Sequence, residues 1–333
     1  MEKEIASLLR PEHVAAAAGQ WHAAGAPLLL DEVSNFVYEI RSQNEPRILR
    51  LTHSSHHTEA EIIAELDWLN FLIQRGVSAS RPLPSQNGRL TECFPVEGSY
   101  FVATAFEYAP GHWIDSSNPQ EWNPQLFQAL GRIMGRMHRL TKSYRPTSAR
   151  AQRPHWDGAD LLRQADRYLP ADQRQLVTAL EPLLARFRRL APTVDNYGLV
   201  HNDVNPTNYN VQDGQITLFD FDDCAYNWFI NDVAVAMPMY SDLFTAAGWE
   251  AGLTEFFQCF MQGYQEENHL DEFWLELLPD CLQLQNMLTL ISCYQSNVPN
   301  SQYHAFYELV LNICRQGHPI FAFDFRKAYE SLE

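Results

Sequence analysis

Residues 199–223 read LVHNDVNPTNYNVQDGQITLFDFDD and are the most informative stretch of this chain. Asp213-Gly214 stands between two short runs that contain apolar residues, which is the sequence signal of a two-residue β-hairpin. Such a hairpin places Asn208 just before its first strand and Asp220 at the end of its second. Because paired antiparallel strands bring these positions to the same end, and Asp203 lies on the loop leading in, the three side chains are expected to converge.

These side chains predict two chemical tasks. Amide and carboxylate oxygens suit Mg²⁺, which takes few protein ligands and completes its octahedron with water and phosphate oxygens. A separate Asp, five residues before the Asn, can accept a proton from a hydroxyl group. The alternative is a polar loop in which Asp203, Asn205 and Asn208 only satisfy backbone groups through Asx turns.

The composition excludes several classes of function. The chain has 333 residues, which suggests about two domains at ~150 residues each. Its 24 basic and 41 acidic residues give a formal charge of −17, which argues against binding nucleic acid or anionic lipid. We expect no nucleic-acid or membrane partner and a cytoplasmic location, because there is neither a signal peptide nor an apolar run of ~20 residues. The six cysteines contain no CxxC pair and predict free thiols.

The periodicity of apolar residues predicts a small β-rich lobe followed by a mostly helical one. Helices are predicted at 11–24, 59–74, 123–141, 157–168 and 172–190, with several more between 240 and 315. Strands are predicted at 28–30, 36–40, 47–52, 89–94 and 100–107, with the hairpin at 209–221. The predicted organisation is therefore a small β-rich lobe with an N-terminal helix at 1–107, a short hinge at 108–111 and a mostly helical lobe at 112–333.

The sequence resembles the aminoglycoside phosphotransferase and choline kinase superfamily, which has a protein-kinase-like fold. The hallmark H-G-D-x-x-x-x-N followed by I-D-[FWL]-[DEG] reads here His201-Asn-Asp203 to Asn208 and Phe219-Asp-Phe-Asp222. Resemblance spans about residues 28–310 and is densest at 199–235. Within the superfamily it is nearest to branches that include homoserine kinases and a stress-response Ser/Thr kinase. The resemblance implies an α+β, two-lobed kinase that uses ATP or GTP and Mg²⁺. It also implies that residues 1–107 form the nucleotide-binding lobe and residues 112–333 the catalytic and substrate lobe.

The resemblance also implies a role for each matching residue. Asp203 would be the catalytic base or hydroxyl-orienting residue, and Asn208 and Asp220 would hold Mg²⁺, with Asp222 as a candidate for a second ion. Glu65 would pair with the phosphate-binding cation of the small lobe, although a solvated helix carboxylate is an equal alternative. The remaining nucleotide contacts implied by position are Ser34 and Asn35 in the first loop and Glu107 and Tyr108 at the hinge.

Two features depart from the family pattern. The loop at 31–35 has no glycine and carries two acids, Asp31 and Glu32, whereas glycine would let backbone N–H groups approach phosphate. The chain has only three lysines, Lys3, Lys142 and Lys327, so no lysine is available on a strand of the small lobe. The phosphate-binding cation must therefore be an arginine. Arg50 occupies the matching position, with Arg47 as the alternative.

The predicted reaction is transfer of the γ-phosphoryl group of ATP or GTP to a hydroxyl of a small molecule. The acidic charge favours an amine-bearing acceptor, and Tyr226, Trp228 and Phe229 could add cation–π contacts or simply pack in the core. Acidic residues that would suit an amine are Glu255, Glu266, Glu267, Asp271, Glu272 and Glu276. The alternatives are a non-catalytic pseudokinase, which the missing lysine and glycine favour, and a protein Ser/Thr kinase of the stress-response type.

Three histidines near the end of a predicted strand raise the possibility of a metal site. His53, His56 and His57 have the composition of a metal cluster, but the sequence offers them no fixed helical spacing and no partner carboxylate. The prediction for them is a solvated loop. His138, on an apolar helix face, is predicted to be a packed histidine, and Asp232 a helix cap or a brace. The sequence does not indicate the acceptor or the oligomeric state.

Overall fold

The computed structural model describes residues 3–148, 152–158, 160–163, 165–171, 175–237, 248–296, 301–317 and 319–331. The chain divides into two compact units. The first comprises residues 1–110, 144–153 and 217–222, and the second comprises residues 111–143, 154–216 and 223–333. Each unit therefore contains segments that are distant in sequence. None of the described helices is both long and apolar enough to cross a membrane.

The first unit is built on an antiparallel sheet. It contains helices α1 (Lys3–Leu8), α2 (Pro11–Gly19) and α3 (Glu59–Ile73), and strands β1 (Ala23–Asp31), β2 (Phe36–Ser42), β3 (Glu45–His53), β4 (Pro82–Leu83), β5 (Glu92–Val96) and β6 (Ser99–Glu107). The strand order is β1-β2-β3-β6-β4, and β5 also pairs with β6. This confirms the predicted small β lobe with one internal helix.

One face of this sheet forms a core with α2. Trp21, Phe36, Leu49 and Phe101 are buried there, together with small residues of the helix. Alternate residues of β3 point to the opposite face, which carries Arg50. In the register of the sheet, Arg50 lies between Val37 of β2 and Thr104 of β6. The sheet thus presents an arginine, flanked by an apolar and a hydroxyl side chain, on the face away from this core.

The first predicted helix is shorter than expected. We predicted it over 11–24, but α2 ends at Gly19 and β1 already begins at Ala23. The strand tolerates Gly25 and Pro27 because its register with β2 shifts between Ala24 and Leu28, forming an irregularity that absorbs both residues. Gly25 and Pro27 therefore lie in a bulge of the strand and not beyond the end of a helix.

Helix α3 begins with the capping box that its sequence encodes. The hydroxyl of Thr58 accepts a hydrogen bond of 3.3 Å from the N–H of Glu61, and the Glu61 carboxylate accepts one of 2.8 Å from the N–H of Thr58. Further along the helix, the side chains of Glu65, Trp68 and Leu69 are buried. The predicted helix at 59–74 is confirmed, and it holds Glu65 inside the unit.

The segment 217–222 is attached to the first unit by backbone and side-chain hydrogen bonds. The N–H of Leu218 donates to the carbonyl of Ser78 at 3.0 Å, and the N–H of Ser80 donates to the carbonyl of Leu218 at 2.8 Å. The ring of Phe221 packs edge-on against Trp68 of α3, with centroids 5.7 Å apart. These contacts bring Asp220 and Asp222 beside the sheet.

The second unit is mostly helical. Its helices are α4 (Pro124–Thr141), α5 (Asp160–Arg163), α6 (Ala165–Tyr168), α7 (Gln175–Arg188), α8 (Phe229–Val235), α9 (Trp249–Gln265), α10 (Glu272–Leu275), α11 (Leu278–Ser296), α12 (Ser301–Gln316) and α13 (Phe325–Glu330). Its strands are β7 (Tyr197–Val200), β8 (Tyr209–Gln212), β9 (Gln215–Leu218, whose last two residues belong to the first unit) and β10 (Ala225–Trp228). Parts of the regions predicted to be helical lie outside the described residues, namely 159, 164, 172–174, 240–247 and 297–300.

Two small sheets interrupt the helices. Strands β8 and β9 pair around Asp213 and Gly214, both of which have a positive φ, so the predicted hairpin turn is confirmed. Strands β7 and β10 also pair, with Val200 opposite Ala225. Our sequence interpretation missed this second pair, because four-residue strands carry too little periodicity to stand out.

Helices α4 and α9 pack closely against each other. A Cβ atom on Gly131 would lie 1.8 Å from the carbonyl oxygen of Phe260, and one on Gly263 would lie 1.9 Å from that of Gln128. No side chain fits at either point. The glycines therefore allow the backbones of α4 and α9 to touch, and this fixes the helix that carries His138.

Candidate active site

The predicted base, Asp203, lies three residues beyond the end of β7 and is half-buried. Its Oδ1 accepts a 2.8 Å hydrogen bond from the side-chain amide of Asn205, and its Oδ2 accepts one of 2.6 Å from that of Asn208. The amide of Asn208 also donates to the backbone carbonyl of Asp203 at 2.9 Å. Two amides therefore fix the direction in which the Asp203 carboxylate points.

The loop that carries Asp203 is anchored by a buried carboxylate of α8. Asp232 accepts hydrogen bonds from the backbone N–H of His201 at 3.0 Å and of Asn202 at 2.6 Å. Asn202 has a φ of 72°, where the family hallmark has glycine. Asparagine is among the residues that tolerate this conformation best. Asp232 thus acts as the predicted brace, but it does not cap α8, whose N-cap is Trp228.

The Asp232 carboxylate has a further partner in His138 of α4. His138 Nε2 lies 3.1 Å from Asp232 Oδ2, and both side chains are fully buried. The other ring nitrogen of His138 lies 2.8 Å from the hydroxyl of Tyr264, and the ring stacks on Phe229 at 4.5 Å. His138 is therefore packed, as predicted, and it holds the anchor of the catalytic loop.

In the first unit, Arg50 and Glu65 form a buried ion pair. Arg50 Nη2 donates a 2.8 Å hydrogen bond to Glu65 Oε2, and the two side chains are 4% and 0% exposed. The predicted pairing is therefore present, and Glu65 is not a solvated carboxylate. Arg47, the alternative cation, instead pairs with Glu45 at the surface.

Three carboxylates determine the electrostatics around Arg50. Burial alone would lower the pKa of Arg50, but the charges of Glu65, Asp222 and Asp220 outweigh it and hold the pKa above its ordinary value. Asp220 and Asp222 both lie on the segment 217–222, and Asp220 Oδ1 is 3.7 Å from Arg50 Nη1. Asp220 is exposed and adopts a φ of 61°. This backbone conformation is unusual for a residue other than glycine and is found preferentially at functional sites.

Polar atoms near Arg50 are left without partners in the described part of the chain. These are Arg50 Nε, Glu65 Oε1 and Thr104 Oγ1, all buried. Thr104 is the register partner of Arg50, so its hydroxyl lies on the same face of the sheet. Buried polar groups are nearly always hydrogen-bonded, and their presence here indicates a place that a polar ligand would complete.

Asn35 and Asp222 are joined within the first unit. The amide of Asn35 donates to Asp222 Oδ2 at 2.5 Å and accepts from the Thr52 hydroxyl at 2.7 Å. Burial favours the neutral form of Asp222, but the neighbouring imidazole of His56 and the charge of Arg50 hold its pKa well below the ordinary value. Asn35, which we predicted at the nucleotide, thus has a buried side chain that braces Asp222.

The other predicted nucleotide contacts are more accessible. Ser34 is exposed in the loop between β1 and β2, and Tyr108 is 42% exposed just after β6. The N–H of Glu107 already donates to the carbonyl of Arg81 at 2.8 Å. The purine base of a nucleotide bound at Glu107 would therefore meet the backbone carbonyl group of Glu107 and not its N–H.

Two histidines between β3 and α3 lie beside Asp222. His56 Nε2 is 3.6 Å from Asp222 Oδ2, and the rings of His56 and His57 are 4.3 Å apart. Burial and the neighbouring charge of Arg153 lower the pKa of His57 to about 2, so this imidazole is neutral. His53 does not join them, since it bonds Ser55 and Ser99. The sequence could not predict this cluster, because its carboxylate is 165 residues further along the chain than His57.

The acidic residues that were candidates for binding an amine are largely occupied. Glu266 pairs with Arg132, and Glu267 pairs with Arg136 and Arg139. Glu272 and Glu276 both pair with Arg326. Of the aromatic candidates, Trp228 and Phe229 are buried in the core and only Tyr226 is partly accessible. The alternative that these aromatic side chains pack in the core holds for Trp228 and Phe229.

Comparison with known proteins places this geometry in a family. The sequence profile of the family described as "Phosphotransferase enzyme family" matches residues 26–272. The chain belongs to this family. It is 36% identical over 333 residues to amicoumacin kinase of Bacillus subtilis (strain 168), with 98% of each chain covered. The family and this relative together show that the chain is an ATP-dependent small-molecule phosphotransferase.

Solved structures of related kinases have the same fold. An amicoumacin kinase in complex with AMP-PNP, Ca²⁺ and Ami superposes with a TM-score of 0.88 at 32% identity, covering 98% of this chain and 99% of the other. A microcompartment-associated aminopropanol kinase superposes with a TM-score of 0.71 at 22% identity, covering 96% and 97%. The predicted α+β, protein-kinase-like fold is confirmed, and the complex of the first of these kinases with AMP-PNP and Ca²⁺ supports a nucleotide and a divalent metal ion.

Proposed function

We propose that this protein transfers the γ-phosphoryl group of ATP to a hydroxyl group of an amicoumacin-like antibiotic. The observation that carries the proposal is the Asp203 carboxylate, oriented by Asn205 and Asn208, in a chain that matches amicoumacin kinase over 98% of both lengths. Aminopropanol is the acceptor named for another structural neighbour. An acceptor that carries both an amine and a hydroxyl fits the formal charge of −17 as well.

Asp203 acts on the acceptor hydroxyl in this proposal. An ionised carboxylate only accepts hydrogen bonds, and each of its oxygens has more than one lone pair. Asn205 holds one of these oxygens and Asn208 holds the other, so the direction in which the carboxylate meets a substrate O–H is fixed. Asp203 orients the hydroxyl and accepts its proton as the new O–P bond forms and the bond to the ADP oxygen breaks.

Asn208 and Asp220 are the proposed ligands of the divalent ion. Their oxygens suit Mg²⁺, which would neutralise charge on the phosphates of ATP when bound. The amide nitrogen of Asn208 already donates to Asp203, so the amide oxygen is the atom that would face a cation. Asp222 stays a candidate for a second ion, with one of its oxygens already bonded to Asn35.

Arg50 is the proposed phosphate-binding cation, and Glu65 holds it in place. Arg50 keeps the positive charge of the usual lysine and adds a planar fork of donors that matches phosphate oxygens. Val37 and Ile48 are half-buried on the same sheet face and offer an apolar surface to the purine. Ser34, the carbonyl of Glu107 and the backbone of Tyr108 complete the proposed nucleotide contacts.

A panel of acceptors tests the proposed function. Amicoumacin, 1-amino-2-propanol, choline and spectinomycin are each incubated with the protein, ATP and Mg²⁺, and the release of ADP is measured against a reaction without acceptor. We expect amicoumacin to give the highest kcat/KM. If only choline or 1-amino-2-propanol is phosphorylated, the enzyme is a metabolic amino-alcohol kinase and the antibiotic assignment is wrong.

A further inference from the structure

A cluster of metal-ligating side chains lies outside the proposed catalytic constellation of Asp203, Asn208 and Asp220. It consists of His56, His57 and Asp222, each of which offers one ligand atom, and these atoms all lie within 4.8 Å of one another. Asp222 is buried, His57 is half-buried and His56 is exposed. An ion could therefore enter from the side of His56 and meet the buried carboxylate.

The spacing of these ligand atoms is close to that of a bound ion. Around a tetrahedral Zn²⁺ with bonds of about 2.0–2.1 Å, neighbouring ligand atoms lie about 3.3 Å apart. His56 Nε2 and Asp222 Oδ2 are already 3.6 Å apart. No two of the three ligand atoms are more than 4.8 Å apart, so side-chain movements of about an ångström would close the cluster around an ion.

His57 provides an independent indication of a missing partner. Neither of its ring nitrogens has a hydrogen-bond partner within the described residues, although both atoms are buried. Buried imidazole nitrogens without a partner are rare, since each leaves a donor or an acceptor unsatisfied. A metal ion satisfies the acceptor nitrogen of a neutral imidazole directly.

Residues around the cluster hydrogen-bond to the Asp222 carboxylate, as residues around metal sites commonly do to the metal ligands. The Asn35 amide donates to Asp222 and is itself fixed by the hydroxyl of Thr52. Such bonds to a ligating carboxylate orient it towards the ion. The positive charge of Arg50 is offset by its pairing with Glu65. Arg153 directs its donors to the backbone carbonyls of Glu61 and Asp222.

We propose that His56, His57 and Asp222 bind a divalent transition-metal ion such as Zn²⁺. Two imidazole nitrogens and one carboxylate select this class of ion over Mg²⁺, which prefers an all-oxygen environment. The ion ties the loop between β3 and α3 to the segment that carries Asp220. The second ion suggested for Asp222 is therefore a transition metal held with two histidines, through ligands other than Asn208 and Asp220.

Zinc binding to the intact protein tests this site. The protein is stripped with a chelator, returned to buffer with excess Mg²⁺ to fill oxygen-ligand sites, and titrated with Zn²⁺ by calorimetry. We expect binding of one ion, weakened at least about tenfold by either His56→Asn or His57→Asn. The matched control His22→Asn changes an exposed histidine of the same unit, whose φ of 55° asparagine tolerates, and it should bind Zn²⁺ like wild type.

Other outcomes would overturn the proposal. Wild type could fail to bind Zn²⁺, or both histidine variants could bind as tightly as wild type. Asp220→Asn could abolish binding while the histidine variants retain it, which would put the ion in the catalytic site. X-ray absorption on the zinc-loaded wild type gives an answer that does not depend on variant folding. We expect the scattering of imidazole ligands, and a shell of oxygens alone would contradict the site.

Discussion

The guanidinium of Arg50 donates a 2.8 Å hydrogen bond to the carboxylate of Glu65, and neither side chain reaches solvent appreciably. This pair joins strand β3 to helix α3 and holds a cation on the face of the sheet where a lysine would be expected. A buried ion pair contributes little net stability, yet losing one member leaves the other charge uncompensated. Substituting Arg50 alone, or Arg50 together with Glu65, therefore separates the contribution of Arg50 to folding from its contribution to ATP binding.

Replacing Arg50 alone should disturb both stability and activity. Arg50→Met leaves the Glu65 carboxylate buried without a partner, and we expect a loss of about 3–5 kcal/mol in the free energy of unfolding. The kcat/KM for ATP should fall by at least about 100-fold, since a donor to the developing phosphate charge is removed. Urea unfolding and steady-state kinetics measure the two effects.

The double variant Arg50→Met with Glu65→Leu is the control for this change. It replaces both charges with apolar side chains, which commonly restores the stability lost by breaking a buried pair. We expect near-normal urea unfolding and continued loss of ATP turnover. A stable double variant with wild-type kcat/KM would show that Arg50 is only structural.

The anchor of the catalytic loop can be tested at Asp232. Asp232→Asn places an NH₂ group where the carboxylate accepts from the N–H groups of His201 and Asn202, and each such charged hydrogen bond is worth about 1.5–3 kcal/mol. We expect lower stability and a fall in kcat of about tenfold or more, with little change in the KM for ATP, because the loop that carries Asp203 shifts.

Asp195 provides the matched comparison for that variant. It lies just before β7 and pairs with Lys142 at the surface, with 76% of its side chain exposed. Asp195→Asn should change stability by less than about 1 kcal/mol and leave kcat unaltered. Wild-type kcat in Asp232→Asn would mean that the loop keeps its position without this carboxylate.

The close packing of α4 on α9 predicts a strong effect at Gly131. In Gly131→Ala the added methyl group would meet the carbonyl oxygen of Phe260 at 1.8 Å, so the helices must separate. We expect a loss of about 3 kcal/mol, the upper end of the usual range for overpacking, in thermal or urea unfolding. Gly19→Ala adds the same atom at the end of α2, with nothing within 4 Å, and should be neutral or stabilising by up to about 1 kcal/mol.

Substitutions of Asp220 and Asp203 should have different effects, because Asp220 is the proposed metal ligand and Asp203 the proposed base. ATP with Mg²⁺ should raise the unfolding temperature of wild type, because a ligand that binds only the folded state stabilises it by mass action. We expect Asp220→Asn to lose the Mg²⁺-dependent part of this shift and Asp203→Asn to keep it while losing turnover. The assignment of Asp220 as a metal ligand would be wrong if its variant showed the full shift.

Local sequence signals predicted much of this fold because their physical causes are local. The turn at Asp213-Gly214 needs residues that accept a positive φ, and the start of α3 needs the reciprocal bonds of Thr58 and Glu61. The partner of Glu65 was also predictable, as the small lobe has no lysine and Arg50 stands at the matching position in its strand. The turn and cap signals act over a few residues and require no knowledge of tertiary packing.

Contacts between distant segments could not be predicted in the same way. Asn35 is bonded to Asp222, which lies 187 residues away, and only the folded chain shows that its amide braces a carboxylate. Likewise, the acidic residues Glu266 and Glu267 looked available for an amine until α4 supplied its arginines. We predicted a solvated loop for His56 and His57 because the sequence shows no partner carboxylate near them. The fold supplies that carboxylate from Asp222.

The most direct test is to follow phosphoryl transfer from γ-labelled ATP to amicoumacin by wild type and by Asp203→Asn. The wild-type enzyme should give amicoumacin that carries the label on a hydroxyl group, detected by mass spectrometry as the addition of one phosphoryl group. Asp203→Asn should bind ATP as tightly and transfer the label at least about 100-fold more slowly. Unlabelled amicoumacin with the wild-type enzyme, or equal rates for the two proteins, would contradict the account.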